Sequence, residues 1–171
     1  VSASFGTFNT IDAKAAFGGA ITDTLSARLS LLYQSQSDWI DNGFTGENNA
    51  LGGNRTGAFR LQLLWTPSER FNALLNVHAW DLDGTARVFR ANILEHGSDN
   101  VVDGFDQDRV YQDGLNDQTI SAEGGAFTMN YKFDFATLTA ITGYESLDMF
   151  SRGDIDGGFG AVFAPPSGPG V

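Results

Sequence analysis

The chain has no cysteine, 4 prolines and 2 histidines in 171 residues. Without thiols there is no disulfide framework, no thiolate nucleophile and no cysteine metal site. Bases are scarce as well: 10 Lys and Arg stand against 21 Asp and Glu, for a net charge of −11. That balance excludes a nucleic-acid partner, which needs a basic footprint. It fits loops that face cations or simply stay in solution. No uninterrupted apolar run of about 18 residues occurs, which excludes a transmembrane helix. A membrane strand is not excluded, because its alternation averages to neutral hydropathy, and the mean here is −0.16. The opening VSASF lacks an initiating Met, a basic segment and an apolar segment of the kind a leader carries. The close, FAPPSGPGV, is loop material. Both ends therefore read as cuts in a longer protein.

What is present is alternation. From Thr56 to Trp65 one parity carries Phe59, Leu61, Leu63 and Trp65, and the other Thr56, Ala58, Arg60 and Gln62. Successive strand side chains point to opposite faces, so the run has one apolar and one polar side. Pro67, which lacks a backbone donor, is expected to end that ladder in a tight turn at Thr66 to Arg70. A second run follows, with Phe71, Ala73, Leu75, Val77 and Ala79 opposite Asn72, Asn76 and His78; Leu74 and Trp80 break its polar side. Each arm of this hairpin has the length of a tilted bilayer-spanning strand, about 9–11 residues, rather than that of a globular one.

The remaining chain repeats the theme. A weak alternation from Val1 ends at an expected turn around Asn9 and Thr10. A run from Ile11 to Ile21 contains Gly18 and Gly19, which predict a bulge or a close backbone approach. Leu25 to Tyr33, Gln118 to Lys132 and Ala136 to Phe150 read as further strands. Turns at Asp23, Ser68 and Asp134 are short, whereas the connections 37–55, 81–117 and 151–171 are long; some local order is expected from Arg87 to Leu94. Strict alternation of short and long puts all short turns at one end of the sheet and all long loops at the other. Trp65, Phe71, Tyr131, Phe133 and Phe135 then sit near the short turns, and Tyr33, Trp39, Trp80, Tyr144 and Phe150 near the long loops, as two aromatic belts. The reading is an all-β chain: about six or seven up-and-down antiparallel strands of a transmembrane β-barrel.

Particular stretches carry a resemblance: ITDTLSARLS (Ile21 to Ser30), SDWIDNGFTG (Ser37 to Gly46), RLQLLWTPS (Arg60 to Ser68) and FDFATLTAITGY (Phe133 to Tyr144). In order and spacing the chain resembles the early barrel strands of TonB-dependent outer-membrane receptors. The resemblance implies that residues 1–171 are part of a 22-stranded barrel domain in the outer membrane of a Gram-negative bacterium. It also implies lipid around the barrel, a plug domain of the same parent chain inside it, and energy from the TonB inner-membrane complex. The expected function is import of a scarce nutrient complex, most typically a ferric siderophore, with no cofactor and no catalysis. A passive porin-like channel and a soluble β-sandwich that binds carbohydrate through Trp39 and Trp80 are the competing readings.

Within that frame the polar parity faces the lumen. Arg28, Arg60, His78 and Trp80 are the candidate substrate-binding residues, with pairing to plug carboxylates, or merely to neighbouring wall residues, as the other roles open to Arg28, Arg60 and His78. Asp103, Asp106 and Asp108, beside Gly104, are the candidate oxygen ligands of a hard cation. Their spacing does not match the helix-loop-helix calcium pattern, and a solvated acidic loop accounts for them equally. No hydroxyl has a His or Lys partner in register, so no nucleophile is expected.

Overall fold

The computed structural model describes residues 1–91 and 93–159. Those residues contain strands and no helix, in the order β1 (Ser2–Phe5), β2 (Ile11–Ala20), β3 (Leu25–Gln36), β4 (Ile40–Asn42), β5 (Glu47–Leu51), β6 (Asn54–Ser68), β7 (Phe71–Gly84), β8 (Arg109–Val110), β9 (Asp117–Lys132) and β10 (Thr137–Arg152). A 7-stranded sheet takes β1, β2, β3, β6, β7, β9 and β10 side by side, every neighbouring pair antiparallel. It is an up-and-down wall, and it is open, with β1 and β10 as its edges.

The wall has two faces of opposite chemistry. Register aligns Leu29, Leu61, Val77, Gly125 and Tyr144 in one row across β3 to β10, all on the apolar parity. Phe17, Tyr33, Phe59, Trp65, Tyr131 and Leu138 share that face and are exposed. On β7 the apolar face runs from Phe71 to Ala79, the length a tilted strand uses to cross hydrocarbon, about 9–11 residues. Beyond it the pattern changes sides. Asp81, Asp83, Glu123 and Asp148 take over the outward parity, while Trp80, Leu82, Ile120, Leu147 and Met149 occupy the inward one. At the short-turn end Trp65 packs edge-on against Phe71 at 5.5 Å, and Tyr131, Phe133 and Phe135 form a chain of rings. Trp80 is therefore not part of an outward aromatic belt. It pairs with Ala58 and Ala122 on the face that carries His78.

Several local expectations need correction. β6 continues through Pro67 to Ser68, with a register irregularity between Trp65 and Ser68 that accommodates a residue lacking N–H. Gly18 and Gly19 sit in an unbroken register with β3, so there is no bulge; Gly18 marks a close approach, since a Cβ there would lie 2.9 Å from the Ala27 carbonyl oxygen. Nor do short and long connections alternate strictly. The tight β1–β2 turn lies at the long-loop end, where Ser37 N donates to Phe8 O at 2.9 Å. Phe8 and Asn9 both adopt positive φ, 56° and 53°, the geometry of a two-residue hairpin turn whose twist matches its strands. Asn tolerates that region; for Phe8 it is a strain, offset by stacking on Trp39 at 5.1 Å.

The largest correction concerns the long loops. The connection after β3 holds β4 and β5, the connection after β7 holds β8, and together they make a second, 3-stranded sheet in the order β5-β4-β8. Arg87 to Leu94 forms no strand among its described residues, only an isolated bridge from Leu94 to Val101. The last connection is described to residue 159; its remainder lies outside the described residues. The buried apolar residues divide accordingly: Ala73 and Ala122 in the wall, but Ile40, Ala86 and Val110 among the loops. The second sheet is built wholly from the long connections and shares no strand with the wall.

Candidate functional site

An open concavity of about 730 Å³ is lined mainly by the polar parity of the wall. Its lining includes Arg28, Arg60, His78 and Trp80, so the structure brings together all the candidate binding residues read from the sequence. The register explains how. Arg28 lies opposite Gln62, and Ser30, Arg60, His78, Gly124 and Glu145 form one row from β3 to β10. Arg28 and Arg60 are diagonal neighbours on one face, a separation that long side chains bridge.

Their electrostatic states differ. Lys14 is paired with Asp12 at 2.9 Å, and Gln34 donates to the same carboxylate at 2.8 Å. His78 Nε2 contacts both carboxylate oxygens of Glu145, at 3.2 and 3.1 Å. Arg28 and Arg60 are exposed and have no ion pair or hydrogen bond among the described residues. Two adjacent guanidiniums without a carboxylate leave a locally cationic surface on a chain of net charge −11. Each offers a planar fork of donors that matches a carboxylate or similar oxygen pair.

Sequence reasoning missed Glu145 and Gly124. His78 and Glu145 belong to different strands with β9 between them, so the pair forms only by reaching over β9. Gly124 makes that passage: a Cβ there would collide with the Glu145 carboxylate and lie 2.7 Å from the Tyr144 carbonyl oxygen. The available signal was Gly124-Gly125 inside an otherwise regular strand, which marks a close approach. His78 Nδ1 and Asn76 Oδ1 are buried without a hydrogen-bond partner among the described residues. Lower on the same face, Thr139 donates to Asn130 at 2.8 Å and Asn130 to Asn72 at 2.9 Å, a polar ladder toward the short turns.

The acidic loop does not assemble a cation site. Asp106 Oδ1 accepts Asp108 N at 2.9 Å, and Asp103 sits in a separate turn at Gly104, whose φ is +79°. Among the described residues no three carboxylates or histidines gather around one point. Trp39 stacks on Phe8 and is not in the lining of the concavity that Trp80 shares, so the two indoles do not combine there into a sugar platform.

Together these features define a stretch of up-and-down β-barrel wall with its polar side concave. No protein-family model matches the chain. Among solved structures it is similar to the ferric yersiniabactin uptake receptor FyuA from Yersinia pestis, with a TM-score of 0.66 and 15% sequence identity. The match covers 85% of this chain and 22% of that receptor, so the chain spans under a quarter of the receptor's length. At such identity the likeness speaks for the fold, a segment of a β-barrel.

Proposed function

We propose that this chain is a wall segment of an outer-membrane importer that takes up a scarce nutrient complex, of the ferric siderophore class, with energy delivered through TonB. One observation carries the reading: a bilayer-length apolar face on one side, and two unpartnered guanidiniums beside Trp80 and His78 on the concave other. Lipid would cover the first face. An oxygen-rich anionic chelate, or carboxylates of a plug in the same parent chain, would meet the second. The fold shared with the ferric yersiniabactin uptake receptor supports the same assignment. The polypeptide supplies recognition and a path, and no bond chemistry.

The test is uptake of radiolabelled ferric siderophores by cells carrying the intact parent protein, with and without the inner-membrane proton-motive force. Accumulation that collapses on de-energisation supports active import. Uptake that is indifferent to energy, equalising across the membrane, would make the protein a passive channel instead. Arg28→Ala and Arg60→Ala should each weaken cargo binding by roughly tenfold or more, the worth of a hydrogen bond to a charged group; unchanged affinity in the double variant would remove these residues from the site.

A further inference from the structure

We infer that the long connections 37–53, 85–116 and 153–159 form a single cooperative cap, which loosens and re-forms as one body instead of as three independent loops. The inference holds whether the wall belongs to an active importer or to a passive channel.

Every pair of connections is tied. Between the first and second, β4 and β8 pair in parallel, Asp41 with Arg109 and Asn42 with Val110. Flanking bonds from Asp41 N to Asp108 O at 2.8 Å and from Gly43 N to Val110 O at 2.7 Å extend the pairing. Between the second and third, Asp113 N donates to Gly158 O at 3.3 Å and Gly114 N to Asp154 Oδ2 at 3.0 Å. Between the first and third, Phe44 stacks on Phe159 at 5.2 Å.

The cooperative element lies beneath these contacts. Asn42, Gln112, Asn116 and Asp154 are the buried polar residues of the described chain, and all of them belong to one hydrogen-bonded series. Asn42 Nδ2 donates to Gln112 O at 2.8 Å, and Asn42 Oδ1 accepts Gln112 N at 3.2 Å. The Gln112 side chain donates to Phe89 O at 2.6 Å and accepts Asn116 Nδ2 at 2.9 Å. Asn116 Oδ1 then accepts Asp154 N at 3.1 Å. The series thus crosses all three connections, and no member is shared with the wall's concave face. Withdrawing the first or the third connection strands buried partners on the second, withdrawing the second strands them on both others, and a buried orphan costs more than its bond contributed. Partial opening is disfavoured for that reason, and the cap has two states. A further tie between the first two connections lies next to the wall: Asp38 Oδ1 accepts Gly53 N at 2.7 Å and the Thr85 hydroxyl at 3.3 Å, beside the ends of β6 and β7.

Hydrogen exchange on the intact parent protein in detergent tests this. Segments 40–51, 108–116 and 153–159 should share one opening equilibrium. Asn116→Ala should speed exchange in all of them by a common factor of roughly ten- to a hundredfold. If that variant does not assemble, Phe44→Ala, at a half-exposed ring, serves instead: it should speed exchange at 108–116, which its side chain's ring partner does not belong to. Acceleration confined to 108–116 and 153–159 in Asn116→Ala, or to 40–51 and 153–159 in Phe44→Ala, would overturn the inference.

Discussion

At the scale of single residues, the passage over β9 is the most sensitive point in the wall. His78 meets Glu145 only because position 124 has no side chain, and the competing atom nearest the backbone is the Tyr144 carbonyl, which cannot swing away. Gly124→Ala should therefore destabilise the barrel by about 1–3 kcal/mol, the usual cost of overpacking. Gly19→Ala is the matched control, since a Cβ there meets nothing within 4 Å. Urea titration of the parent barrel in detergent decides: equal midpoints for the two variants would mean that the passage is slack. Asp154 offers a pH test. Burial, then the neighbouring Asp156 carboxyl, holds its pKa above the ordinary 3.8. A carboxyl raised on folding binds its proton more tightly in the folded state, so its contribution is complete below about 3.8 and is lost as pH rises through the raised value. Protection at 153–158 should accordingly fall as pH climbs out of that acidic window. Asp154→Asn, neutral throughout, should flatten the response, and an unchanged slope would assign it to another group.

At the scale of elements, each wall strand is a claim about which side meets lipid. Leu61 and Gln62 are adjacent on β6, yet register puts Leu61 in the apolar row with Val77 and Gln62 opposite Arg28 and Asn76. An arginine near the bilayer midplane costs about 2–4 kcal/mol, whereas one on the lumen side is tolerated. Leu61→Arg should thus impair assembly, read as loss of the heat-resistant fast-migrating form on gels, while Gln62→Arg should assemble normally. Similar behaviour of both would contradict the two-faced wall. This is also where the sequence was most legible. Strands of 12 to 16 residues, such as β3, β6, β7, β9 and β10, carry enough alternation to fix both their existence and their faces. That parity alone gathered Arg28, Arg60, His78 and Trp80. It could not find β4 and β8, which are 3 and 2 residues long, too short to show a period. Nor could it find the Asn42–Gln112 pairing, which joins positions 70 residues apart. Glu145 escaped for a related reason: its row depends on the register of β9 and β10, and parity within one strand does not determine register between strands.

At the scale of the whole molecule, the described chain is a wall with nothing to close it. β1 and β10 present unpaired backbone donors and acceptors along the edges of the sheet, and β10 is exposed along almost its whole length. Unprotected edges of this kind pair with whatever strand is offered. The apolar face adds a second drive to associate, since patches larger than a few hundred Å² are seldom left in water. Neither liability is relieved by the cap, whose buried residues lie among the long connections. Expressed alone, residues 1–171 should therefore be insoluble in buffer. In detergent the apolar face is covered but the edges are not, so the chain should acquire β-structure and still form oligomers through strand pairing. Circular dichroism with sedimentation velocity separates the two effects. A monodisperse monomer in plain buffer would contradict the membrane-facing assignment of Phe17, Phe59 and Leu138. A monomer in detergent would show instead that the edges are protected by their own short turns and charges, leaving the apolar face as the sole cause of association.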